Sequence, residues 1–197
     1  SGGSATLTDL VFTNNKGTIN NITVRDGLTI TNAVVATSVG NISAADLTLT
    51  GGLTLAGTLG SAAVGTVATT GYGASAGDMS GNLTATLGTI GNVSIAGDLT
   101  SAITASKGSI GTVNVDGDLS GTISAAYAGT PANATIGAMT LGEFSGTISA
   151  GGAVASIAVE ANGIDGAAAL SVGSITGALS VVGNIDSTVT TTVGGIG

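Results

Sequence analysis

The sequence predicts an all-β fold, a parallel β-helix (β-solenoid) of about eight to nine coils with a repeat of ~20 residues. Three observations predict it. The tetrad Gly97-Asp98-Leu99-Thr100 returns as Gly117-Asp118-Leu119-Ser120, with relatives along most of the chain. Short runs such as Val93-Ser94-Ile95 and Val113-Asn114-Val115 alternate apolar and polar residues, the period of a strand with one buried face. Finally, 35 glycines and dense Thr, Ser and Val disfavour helix through backbone entropy and restricted χ1.

The tetrad supplies the apolar anchors of the expected core. They are Leu28, Leu53, Met79, Leu99, Leu119, Phe144, Ile164 and Ile185, at spacings of 25, 26, 20, 20, 25, 20 and 21 residues. The clearest coil spans 88–107, and its successor matches it position by position: Ile90, Val93, Ile95, Leu99 and Ile103 answer to Ile110, Val113, Val115, Leu119 and Ile123. Gly-Asp pairs punctuate the runs where the chain must turn. Three short strands and three corners per coil follow, with each coil stacked ~4.8 Å from the next so that like residues form ladders. A second ladder is expected four residues after each anchor, at Leu83, Ile103, Ile123, Ile148 and Val189, and absent at Asn32, Gly57 and Ala168.

Taken in order, residues 4–12 and 187–193 read as strands, and the coils near Ile19 and Leu47 are less regular. Residues 61–75 read as an embellished coil or loop. The insertion Tyr127–Asn133 accounts for the spacing of 25 before Phe144 and holds the only proline, Pro131, which suits an exposed loop. The expected organisation is one solenoid domain over 1–197, with 1–16 as an N-terminal cap or assembly strand and 17–193 as coils. No amphipathic capping helix is evident. An uncapped solenoid invites strand addition, so a strand carrying Ala5, Leu7, Leu10 and Phe12 is the candidate for pairing with a neighbour.

Composition narrows function. Hydrophobic residues make up 43% of the chain but aromatics only 2%, so the core is built from thin aliphatic stacks. Only 7% of residues are charged, with a net charge of −8, and Lys16, Arg25 and Lys107 are the only basic residues. That leaves no cationic patch for nucleic acid or an anionic membrane. No run approaches the ~20 apolar residues of a membrane span. Without Cys or His there is no disulfide, thiolate metal site or His-based catalytic machinery. The chain is expected not to be an enzyme and to hold no cofactor. It starts at Ser1 without an initiator Met or a signal-like segment, which reads as a processed form or a fragment.

Three sets of polar residues remain as candidate sites. Asp78, Asp98, Asp118 and Glu143 share one repeat position and should line one edge. One carboxylate per coil is too few for calcium, which wants six to eight oxygens, so turn formation is the preferred reading. A Thr/Ser-rich flat face, with Thr84, Thr104, Thr122, Thr147, Thr188 and Thr190, resembles the ice-binding face of some antifreeze proteins, although Asn82, Ala102, Ser124, Ser149, Ala167 and Ala169 interrupt the threonines. The plainer reading is β-propensity. Acceptor sequons stand at Asn21, Asn41, Asn82, Asn92 and Asn133, where glycans would help solubilise a charge-poor surface.

The Gly-Asp-Leu-Ser/Thr corners and apolar ladders, over roughly 17–194, resemble those of secreted β-helical surface proteins such as bacterial adhesin and autotransporter passenger regions and surface filament or layer proteins. The resemblance implies an extracellular or cell-surface location and a structural or adhesive role. The expected partners are further copies of the chain, with surface glycans as a second class; the alternative is an ice-binding or carbohydrate-binding module.

Overall fold

A computed structural model of the chain describes residues 5–8, 11–12, 19–24, 27–35, 38–64, 77–126 and 133–197. Twenty strands run through them as one sheet in which every pairing is parallel, and no α-helix occurs among the described residues. Each strand pairs with strands about one coil away in sequence, as Ile103 does with Leu83 before it and Ile123 after it. The chain is therefore a parallel β-solenoid.

Three stacks of strand segments make up the coils. The first carries the anchors: β1 (Ala5–Thr8), the starts of β4 (Gly27–Val35) and β6 (Asp46–Leu55), β8 (Met79–Ser80), the ends of β12 (Val113–Leu119) and β14 (Ile136–Phe144), then β16 (Gly163–Ile164) and β19 (Asn184–Ile185). The second comprises β2 (Val11–Phe12), the ends of β4 and β6, β9 (Leu83–Ala85), β11 (Ala102–Ala105), β13 (Thr122–Ala125), the start of β15 (Thr147–Val159), β17 (Ala169–Ile175) and β20 (Val189–Thr191). The third holds β3 (Ile19–Thr23), β5 (Val39–Ala44), β7 (Leu59–Val64), β10 (Ile90–Ile95), the starts of β12 and β14, the end of β15, and β18 (Leu179–Val181). Several strands turn a corner without a break, so three separate strands per coil is too simple a picture.

Alternation places one residue in two inside. Val93, Ile95, Leu99, Ile103 and Ala105 are all buried, as are their successors Val113, Val115, Leu119, Ile123 and Ala125, and no polar residue is buried among the described residues. Each fully buried Leu, Ile or Val contributes about 1.5–3 kcal/mol relative to exposure. Backbone bonds between coils close the ladder: the N–H of Leu99 donates to Asp118 O at 3.0 Å, and that of Ile90 to Ser109 O at 3.0 Å. At one corner of the third stack the coils between Asn20 and Ala155 approach so closely that a Cβ would strike the coil before. Gly40, Gly60, Gly91, Gly111 and Gly137 follow one another there, and a Cβ on Gly91 would run into the carbonyl of Gly60.

The register corrects the expected anchors. Leu28 pairs with Leu47, not Leu53, and Leu47 pairs with Met79. The true spacings there are 19 and 32 residues. Leu53 belongs to the second ladder, between Ala33 and Leu83. The cause is Gly51-Gly52, whose φ values of 80° and 86° add two residues at the corner and push Leu53 one position around the coil. The second ladder is likewise not absent where expected: Ala33, Leu53 and Leu170 fill its slots in place of Asn32, Gly57 and Ala168. Residues 61–64 form regular strand paired on both sides. Residues 65–76, and with them most of the expected embellishment, lie outside the described residues, as do Pro131 and 127–132.

Candidate binding surfaces

Turned outward, the three stacks present three different surfaces. The corner before the first stack is acidic. Asp78, Asp98, Asp118 and Glu143 each stand one residue before a stacked anchor, and Asp118 pairs directly with Glu143. Asp46, before Leu47, extends the column by one coil; the shared Asp-Leu-Thr of 46–48 and 98–100 was the signal that could have revealed it. These carboxylates bond to the adjoining coil. Asp78 Oδ1 accepts from the N–H of Asp98 at 2.9 Å, Asp98 Oδ1 from that of Asp118 at 2.9 Å, and Asp46 Oδ1 from that of Gly77 at 3.1 Å. Their work is to satisfy corner amides, and no group of three or more carboxylates is arranged for a metal ion among the described residues.

Asp118 departs from the pattern. Ser145 Oγ donates to both of its carboxylate oxygens, at 3.1 and 3.0 Å. Burial raises its pKa above 3.8, the Ser145 bonds pull it down, and the charges of Glu143 and Asp98 raise it again. Above it, Glu143 Oε2 accepts from Asn162 Nδ2 at 2.9 Å.

The second stack carries the hydroxyl face. Thr54, Thr84, Thr104, Ser124, Ser149, Ser171 and Thr190 follow one another in unbroken register over seven coils. A parallel column, two residues earlier on the same side of each strand, reads Asn82, Ala102, Thr122, Thr147, Ala169 and Thr188. The six expected threonines thus split three and three between the columns. Neighbouring positions stand ~4.8 Å apart along the solenoid and about 7 Å along each strand. No charged residue interrupts strands β9, β11, β13, β17 or β20, and no hydroxyl of the unbroken column bonds to another described residue.

The third stack places three of the five sequon asparagines in one column. Asn21, Asn41, Ser61 and Asn92 are in register. Asn41 Nδ2 donates to Asn21 Oδ1 at 2.7 Å, and Ser61 Oγ to Asn41 Oδ1 at 2.6 Å. Asn92 Oδ1 accepts from the N–H of Thr112 at 3.2 Å. On the second stack Asn82 Oδ1 similarly takes the N–H of Ala102 at 3.1 Å. Asn133 contributes only its carbonyl, to Ser109 Oγ at 3.0 Å. These amides serve the inter-coil ladder, a role the isolated sequons did not reveal.

Of the candidate assembly strand, Ala5 and Leu7 lie in β1, in register with Leu28 and Ile30, and Phe12 lies in β2, in register with Val35. Leu10 falls outside the described residues. Lys107 is exposed on a corner, and Lys16 and Arg25 are outside the described residues. No helix is long and apolar enough to cross a membrane among the described residues. Comparison of the chain with family models, with curated proteins and with solved structures returned no match.

Proposed function

We propose that the chain is an extracellular structural protein, a subunit of a self-assembling fibre or cell-surface layer, which associates by adding a parallel coil from a second copy to the open edge of its ladder. One observation carries this reading. Columns whose members are completely buried in the middle of the solenoid end in exposed apolar residues: Leu119 is 0% exposed, Ile185 in the same column 49%, and Ile196 48%. Leu179, Val181 and Val189 are only partly buried beside them.

Backbone pairing supports the same reading. Among the described residues, strands β18, β19 and β20 pair on one side only, as do β1, β2 and β3 at the other end, where Ile19, Ile22 and Val24 are also partly buried. An edge with free backbone donors, free acceptors and half-exposed aliphatic side chains favours parallel strand addition. Joining unlike ends is a heterologous contact that does not close, so its product is a filament. The likeness of the corners to those of secreted surface proteins supports the extracellular location, and outward sequon asparagines suit glycan attachment there.

Negative-stain imaging with sedimentation across a concentration series tests the proposal. Filaments that lengthen with concentration are expected, and their loss in Ile185→Lys without loss of fold. Deleting residues 1–12 should also abolish them. Monomers at every concentration would refute the assembly reading.

The unbroken hydroxyl column favours a second reading, a binding module for ice or carbohydrate. Its uncharged, regularly spaced hydroxyl groups without protein partners suit a flat, neutral, hydrogen-bonding surface. Thermal hysteresis or polysaccharide co-sedimentation that disappears in Thr84→Leu or Thr104→Leu would support it, and the absence of both would dismiss it.

A further inference from the structure

We propose that Asn162 is a site of spontaneous deamidation, by which the corner between β15 and β16 gains a carboxylate as the protein ages. Asn162-Gly163 is the only Asn-Gly step in the chain. Glycine matters because it has no side chain to hinder its own amide nitrogen from reaching the Asn162 side chain. Asn162 is exposed and is the one non-glycine residue of positive φ among the described residues, at 55°, followed by Gly163 at 87°. Here the chain is at a solvent-facing bend between strands. The other described asparagines all precede residues with side chains.

The chemistry needs only water. The Gly163 N–H, which donates to Ala161 O at 2.6 Å, must first leave that carbonyl; the nitrogen then gives up its proton to hydroxide and bonds to Cγ of Asn162. The Cγ–Nδ2 bond breaks, and the nitrogen leaves as ammonia after taking a proton. Water then adds to one of the two carbonyls of the cyclic imide, opening it to aspartate or, with the main chain rerouted, to isoaspartate. Nothing is oxidised or reduced.

The surroundings turn this change into a structural event. Asn162 Nδ2 now donates to Glu143 Oε2, and Glu143 stacks on Asp118, which stacks on Asp98. Deamidation replaces that donor with a second carboxylate beside Glu143, one residue short of the column position that Gly163 holds, and so sets two like charges side by side. Isoaspartate also inserts an extra main-chain carbon beside Gly163, which is buried and so close to Asn184 that even a Cβ would strike its carbonyl. The coils from β16 onward are therefore the ones that loosen with age.

Incubation of the folded 197-residue chain in mildly alkaline buffer, followed by peptide mass mapping and isoaspartate detection, tests the site. Conversion at Asn162 should outpace that at every other asparagine, and Asn162→Gln should remove it. Asn162→Asp should lower the unfolding midpoint by about 2 °C relative to the unaged parent, the size of shift expected for losing one surface contact in a chain of this length. Asn162 left intact in the folded chain over a period that converts it in the urea-unfolded chain would overturn the proposal, as would faster conversion elsewhere.

Discussion

The coils between Met79 and Ala125 and those between Leu179 and Gly197 are built from the same ladders, yet their inward residues differ in environment. Leu99, Ile103, Leu119 and Ile123 are wholly buried, whereas Ile185 and Ile196 are about half exposed. Sequence does not explain the difference, because Gly183-Asn184-Ile185-Asp186 is as good a corner as Gly97-Asp98-Leu99-Thr100. What differs is the number of neighbouring coils. An apolar residue in a thin solenoid is buried by the coils on either side of it, so its contribution to stability depends on both interfaces.

That comparison can be broken at several points. The largest effect is expected at the glycine column. Gly91→Ala drives a methyl group into the Gly60 carbonyl and should cost about 3 kcal/mol or prevent folding, whereas Gly195→Ala, with open space around its Cα, should stay within about 0.5 kcal/mol. Thermal and urea unfolding followed by circular dichroism distinguish them. Equal effects would mean that the coils do not approach as described.

Core truncation should show the next largest contrast. Leu119→Ala is expected to cost about 2–5 kcal/mol, and Ile185→Ala, half exposed in the same column, about 1 kcal/mol. A similar loss at both positions would show that Ile185 is already covered in solution.

The acidic column gives the smallest effect, and its sign is unusual. Because the folded state raises the Asp118 pKa above its ordinary value, that state binds the proton more tightly than the unfolded chain does. Its stabilising contribution is therefore complete below pH 3.8 and is lost as pH rises through the raised value. Asp118→Asn should flatten this part of a midpoint-against-pH series. A parent chain whose stability at this site instead falls on acidification would contradict the assignment.

How much was legible follows the regularity of the chain. From Met79 to Ala125 successive anchors lie 20 residues apart, so the ladders, the Gly-Asp corners and the acidic edge could be read directly. Between Leu28 and Met79 they could not. Leu47-Thr48-Leu49-Thr50 and Leu53-Thr54-Leu55 are near duplicates, and only the left-handed glycines between them decide which leucine is the anchor. That error hid Asp46 and the start of the hydroxyl column at Thr54. At Gly151-Gly152, by contrast, neither residue has positive φ, and β15 turns the corner without a break at the cost of one register shift. The asparagine ladder was invisible for a related reason, since Asn41 and Asn92 share a column only because Ser61 stands between them.

The central claim is a single parallel ladder in a defined register, and paired cysteines test it most directly because the chain has none of its own. Thr48 faces Ser80 across neighbouring coils, so Thr48→Cys with Ser80→Cys should form a disulfide under mild oxidation. Thr54→Cys with Ser80→Cys, the pairing demanded if Leu53 were the anchor, should not. Cross-linking of the second pair in preference to the first would contradict the register on which the ladders and their faces rest.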